Sequence, residues 1–271
     1  MTTSDPAVSP FRRAVAWQRD GDTFSGGIDA AWAQGRATYG GLVAAGALGA
    51  MQAVVAPARL VRSLLVNYVG PVEPGVVNCR VELLRAGKGA TQALARIEQQ
   101  GQVRLLATAV FGESRTSTAM VEAPDFPVVT PVDELPDLPF VDGLSPAFTR
   151  YFRYRWGRGS LPFFGGDSGD MGGHLRFVDE VGSIDAQIVL GILDAWPAPV
   201  MSKMQGPARG STMSWAVDFV QPLPEASADG WWSYAADTVL ARDGYASHHE
   251  WLRSPQGQLV ARGNQVVAVF G

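Results

Sequence analysis

The sequence predicts an α+β protein made of two tandem copies of one plan, a long buried helix followed by antiparallel strands that cover it. Three observations predict this. Tyr39–Val55 is apolar almost without a break, with Gln52 its only strongly polar side chain, and Ile184–Trp196 is a second mostly apolar stretch. Each is followed by four runs rich in Val, Leu and other β-formers, separated by turn residues. Short motifs also recur in the same order: YVGP at Tyr68–Pro71 and FVQP at Phe219–Pro222, QGQV at Gln100–Val103 and QGQL at Gln256–Leu259, and VFG at Val110–Gly112 and Val269–Gly271. A repeated order of helix, strand and turn marks an internal duplication, and each helix must be covered by its own sheet.

Taken in order, residues 1–22 read as a polar lead-in and Thr23–Ile28 as a first strand. The helix over Tyr39–Val55 is stopped by Pro57. A helix that is apolar on every side has to be surrounded by protein, and its Ala and Gly content lets other backbone approach closely. Arg62–Val69, Val76–Leu84, Ala90–Gln99 and Val103–Phe111 follow as antiparallel strands, broken by GPVEPG, AGKG and QQGQ. Residues 113–146 hold Pro124, Pro127, Pro131, Pro136, Pro139 and Pro146 with acids between them. Proline lacks the amide hydrogen that a sheet interior needs, so this stretch is a surface linker between repeats at 1–112 and 147–271. In the second repeat, Phe148–Trp156 and His174–Phe177 read as strands. The helix Ile184–Trp196 ends at Pro197, and Thr212–Val220, Trp231–Val239, Tyr245–Leu252 and Gln258–Phe270 alternate as strands.

Composition excludes several functions. The chain has 271 residues, is 46% hydrophobic and 18% charged, and carries a net charge of −4. That is enough apolar material for a sizeable core, and it argues against a nucleic-acid partner, which calls for clustered Lys and Arg. No run reaches the ~18 apolar residues of a membrane span, and no signal peptide is visible, so a cytoplasmic protein without a membrane partner is expected. The single cysteine, Cys79, reads as a small buried apolar residue. One Cys and three scattered histidines give no metal site. With no G-x-G-x-x-G in a strand–turn–helix setting, no cofactor is expected. Exposed sheet edges and many aromatics are compatible with a homo-oligomer without fixing the oligomeric state.

A buried helix wrapped by a curved antiparallel sheet, duplicated in one chain, is the double hot-dog layout. The sequence resembles the type II acyl-CoA thioesterases in TYGGLVAAGAL, RSLLVNYVGPV, VELLRAGKGATQALARIEQQGQ, STMSWAVDFVQP, the strand around Tyr234–Thr238 and GQLVARGNQ, in that order over most of the chain. The resemblance implies an acyl-CoA substrate, a place in lipid metabolism and hydrolysis by activated water. It also implies an Asp, a Thr and a Gln on neighbouring strands of the second half. Gln265 falls on the Gln position, Thr238 on or one residue from the Thr position, and Ser214 where the family has its Asp. Thioester hydrolysis needs a water held and deprotonated and an oxyanion stabilised. Gly40 and Gly41, at a helix start, suit binding of the substrate's oxyanion through backbone amides.

With Ser214 in place of the Asp, two carboxylates are candidates for the base. Asp194 lies on an apolar helix, where an unpartnered carboxylate is costly and so has a partner or a task. Asp218 shares the Ser214 strand but lies roughly 13 Å along it, so Asp194 is favoured. GDSG at Gly166–Gly169 is not G-x-S-x-G and has no His base in context, which excludes a serine triad. Asp243 and His248 have the offset of a hot-dog hydratase but lie in a turn-to-strand segment. The competing reading is an acyl-CoA-binding or scaffold protein without catalysis.

Overall fold

The computed structural model describes residues 8–270. The first seven residues of the lead-in, and the Gly271 that ends the second VFG, lie outside the described residues. The chain forms strands β1 (Gln18–Asp20), β2 (Thr23–Ile28), β3 (Ala33–Gln34), β4 (Ala37–Thr38), β5 (Leu60–Tyr68), β6 (Gly75–Ala86), β7 (Ala90–Gln99), β8 (Gln102–Gly112), β9 (Phe152–Arg158), β10 (Asp170–Phe177), β11 (Arg209–Phe219), β12 (Trp232–Arg242), β13 (Tyr245–Arg253) and β14 (Leu259–Phe270). The helices are α1 (Pro10–Val15), α2 (Gly40–Gln52) and α3 (Ala186–Leu193).

The duplication is written in the strand order. One 12-stranded sheet runs β1-β2-β6-β7-β8-β5-β11-β14-β13-β12-β10-β9. Reading outward from its centre in either direction gives the same succession: β5, β8, β7, β6, β2 in the first half and β11, β14, β13, β12, β10 in the second. The halves join where β5 pairs antiparallel with β11, Trp215 opposite Val66. Each half carries its helix between corresponding strands, and α2 and α3 pack on each other on the same side of the sheet. This is the hot-dog plan twice over.

Helix α2 is buried nearly throughout, from Gly41 to Met51. Its glycines admit neighbours: a Cβ on Gly41 would meet the Leu190 carbonyl oxygen of α3 at 2.8 Å. The N-cap residue, Tyr39, makes no side-chain cap, so the first amides of α2 need acceptors from elsewhere.

Three expectations need correction. The second helix is not long: it spans only Ala186–Leu193, two turns, because Asp185 caps it with a side-chain oxygen accepting from Ile188 N (2.9 Å) and the chain leaves helical geometry at Asp194 (φ −90°, ψ 2°). The lead-in is not simply polar. Ser9 and Pro10 open α1, which buries Phe11 and Val15, and Phe11 lies against Gly191 of α3. Arg12 from the same turn pairs with Asp185 and donates to Val181 O (3.0 Å), so a first-half segment clasps the second half. Finally, Ala147–Tyr151 is a 3₁₀ turn rather than the start of a strand.

Residues 113–129 carry no helix or strand, in keeping with their prolines. Thr130 N donates to Gly157 O (3.0 Å) and Leu138 bridges to Tyr154, which ties the linker to the outer strand β9.

Candidate functional site

The helices run so that the C-terminus of α3 meets the N-terminus of α2. Asp194, the residue that ends α3, is thereby delivered to the open amides of α2. Its carboxylate accepts from the Gly41 N–H, and its Oδ1 accepts from Gln265 Nε2 at 2.9 Å. A Cβ added to Gly40 would lie 2.9 Å from Asp194 Oδ2 and 2.9 Å from the Tyr68 hydroxyl. Asp194 and Gly40 each keep partial access to solvent, while Gln265 is 5% exposed.

Burial raises the Asp194 pKa most strongly and the Glu250 charge raises it further. The hydrogen bonds from Gln265 and Gly41 pull it down, and the balance stands at about 7. A carboxyl group poised near neutrality exchanges a proton readily at physiological pH.

Behind this pair lies a second layer. Glu250 (2% exposed) accepts from Trp215 Nε1 at 2.9 Å and from the Tyr234 hydroxyl at 3.5 Å, with His248 Nε2 (residue 1% exposed) 3.4 Å away. Gly263 lies under Glu250 and Trp215, where any Cβ would collide with the Glu250 carboxylate. Gln265 Oε1 takes a long bond from Thr212 Oγ1 (3.4 Å), which leaves its amide nitrogen directed at Asp194.

The structure brings Asp194, Gln265, Gly40 and Gly41 together and leaves the other two residues apart. Thr238 is in the inward row Thr238–His248–Gln265, but a whole strand separates it from Gln265, roughly 10 Å at two strand spacings. Its Oγ1 is buried without a partner among the described residues. Ser214 faces the other way. Trp215, Val217 and Phe219 are buried, so alternation turns Ser214 to the outer side, in register with Asn67 and Val266. An irregularity between Thr212 and Ser214 returns Thr212 to the inner side, where it reaches Gln265.

Sequence reasoning missed Glu250 altogether. Tyr68 was visible only as the aromatic of a turn motif, and His248 only through its offset from Asp243. The β13 row Ala246, His248, Glu250, Leu252 is uniformly buried, and a His and a Glu two apart in an otherwise apolar row was the available signal.

The duplication makes this polarity informative. Aligning Tyr68 with Phe219 puts Leu64 at the place of Trp215, and the registers then put Ala109 opposite Gln265, Ala93 opposite His248 and Ala95 opposite Glu250 as first-half counterparts. The polar set exists in the second half alone.

The family model for the acyl-CoA thioesterase N-terminal domain matches residues 28–112, and that for the C-terminal domain matches residues 132–269. The chain belongs to the acyl-CoA thioesterase family. Among solved structures, this thioesterase-family chain is similar to a conserved hot-dog protein of unknown function from Alicyclobacillus acidocaldarius (23% identity, TM-score 0.85, 97% of this chain and 99% of that one). It is also similar to an acyl-CoA thioesterase II from Mycobacterium marinum (17%, 0.73, 96% and 98%) and to a TesB protein from Mycobacterium avium subs paratuberculosis (17%, 0.76, 95% and 97%). At these identities the likeness establishes the shared fold. A search of curated proteins found no match. No helix among the described residues is long and apolar enough to cross a membrane.

Proposed function

We propose that the protein hydrolyses acyl-CoA thioesters to the free acid and CoA at the seam between its two repeats, with Asp194 as general base. The observation that carries this reading is the Asp194–Gln265 pair seated on the N-terminus of α2, with a carboxyl pKa of about 7 and no counterpart for Gln265 in the first half. In this reading Asp194 takes a proton from water as the water oxygen bonds to the acyl carbon. Gln265 fixes the carboxylate through its amide. The Gly41 amide holds the Asp194 carboxylate, and the other first amides of α2, that of Gly40 foremost, lie at the positive end of the helix and favour the developing negative charge. The tetrahedral intermediate then expels the thiolate, which is protonated to CoA thiol. Thr238 and Ser214 lie outside this centre and take no part in the step.

The division at 1–112 and 147–271 fits this mechanism, because α2 supplies the amides and the second repeat supplies the base. The test is release of free thiol from straight-chain acyl-CoAs, acetyl through palmitoyl, at pH 8. Turnover on at least one chain length is expected. No turnover on any, with the fold intact by circular dichroism, defeats the proposal.

One observation favours a second reading, acyl-CoA binding without turnover: Asp194 already caps α2 across the repeats, which is a sufficient structural task. Tight calorimetric binding of acyl-CoA by a protein that releases no thiol would establish it.

A further inference from the structure

Tyr68 ends β5 beside the start of α2, and its hydroxyl has no function so far. That oxygen is buried without a hydrogen-bond partner among the described residues. It shares one small space with Asp194 Oδ2, above the Gly40 Cα, since both oxygens lie 2.9 Å from where a Gly40 side chain would begin. A buried hydroxyl left unpaired weakens a fold, and the repeat does not need it: the corresponding residue at the end of β11 is Phe219.

We infer that the Tyr68 phenol donates a hydrogen bond to the acyl carbonyl oxygen of the bound thioester and to the oxyanion that this oxygen becomes, which makes Tyr68 a catalytic residue. This rests on the hydrolase reading above and names the side-chain donor of that site. Gly40 carries no side chain between the two oxygens, so a carbonyl that approaches the start of α2 meets the Tyr68 hydroxyl and Asp194 there. Water deprotonated by Asp194 attacks the carbon while the oxygen leans on the phenol. The phenol keeps its proton throughout. Burial first, and then the Asp194 and Glu250 charges, raise its pKa well above the usual value, so it is a donor and not a base at working pH. One such donor is commonly worth roughly 100-fold or more in rate.

The experiment compares Tyr68→Phe with the native chain in two readouts. The first is thiol release from the acyl-CoA panel. The second is the infrared carbonyl band of a ¹³C-carbonyl acyl-CoA bound to the slow Asp194→Asn protein, with and without Tyr68→Phe, using the chain length that binds most tightly. The expected result is a kcat lower by about 100-fold with KM changed by less than about threefold. The carbonyl band is expected to sit lower with Tyr68 than with Phe. A Tyr68→Phe enzyme within about threefold of native kcat, with the band unmoved, overturns the inference while leaving the hydrolase reading intact. If the native chain binds acyl-CoA without turnover, the hydrolase reading fails and the band alone decides whether Tyr68 engages the carbonyl. If no acyl-CoA binds, both are overturned.

Discussion

Replacing Asp194 with Asn separates chemistry from stability, because the structure assigns the two effects opposite signs. Asn is close in shape and still accepts hydrogen bonds, so the cap on α2 survives, but it cannot take a proton. The native carboxyl has its pKa raised from 3.8 to about 7, chiefly by burial. A carboxyl whose pKa rises on folding holds its proton more tightly in the folded chain. Its favourable contribution is complete below the unfolded value near 4 and disappears as pH rises through about 7. Three pKa units correspond to about 4 kcal/mol, an upper figure because Asp194 keeps some contact with solvent. Between pH 4.5 and pH 8.5 the native protein should therefore lose up to that amount relative to Asp194→Asn. Groups that do not face Asp194 titrate alike in the two proteins and cancel. At roughly 2 °C per kcal/mol for a chain of this size, the difference in Tm should move by up to about 8 °C in favour of the variant, while thiol release falls by ~10²–10⁴. Paired thermal melts across pH and a thiol-release assay measure both. A Tm difference that stays flat with pH, or a variant as active as the native protein, refutes the reasoning.

The other predictions use the same centre. Glu250→Gln keeps an acceptor for Trp215 but removes the charge that raises Asp194, whose other ionisable neighbours are Tyr39, Tyr68, Tyr154 and Tyr234; the acid limb of the pH–rate profile should move to lower pH. Gln265→Leu deletes a bond that lowers the Asp194 pKa, so the same limb should move up, with a loss of rate; shifts of the same sign in the two variants contradict the assignment. Gly40→Ala puts a methyl 2.9 Å from both Asp194 Oδ2 and the Tyr68 hydroxyl. These are ends of side chains that can yield, so Tm should hold within a few degrees while thiol release drops by ~100-fold. Ser214→Asp would restore the residue type that the family resemblance calls for, but on the outer side of the sheet; activity should stay within about twofold of native, and a large gain would show that Ser214 reaches the centre.

Much of the architecture could be read from the chain because it was written locally. QQGQ and AGKG interrupt alternating runs, so β6, β7 and β8 were readable to within two residues. The apolar length of α2, closed by a proline, needs no tertiary information. What escaped depends on long-range contact or on a single inserted residue. The lead-in looked polar because Arg12 and Arg13 directly follow Phe11, and only the docking of Phe11 against Gly191 makes α1 a core element. The second helix looked longer because Ala195 and Trp196 are as apolar as the residues before them, whereas Asp194 leaves the helix to meet α2. Ser214 drew attention by its place in a motif, yet the irregularity beside Met213 decides which side it faces, and composition does not encode that. Asp194 was legible as a buried carboxylate needing a partner, and Gln265 as a buried amide needing one. That each is the other's partner required the fold.

In the proposed reaction the acyl group is hydrolysed where α3 ends and α2 begins. A crystal structure with a non-hydrolysable acyl-CoA in which a methylene replaces the thioester sulfur tests it most directly. Its carbonyl is expected over Gly40, within hydrogen-bonding distance of the Tyr68 hydroxyl and with Asp194 facing the carbonyl carbon. A carbonyl bound at the opposite end of the helix pair, near Asp185 and Gln187, would contradict it.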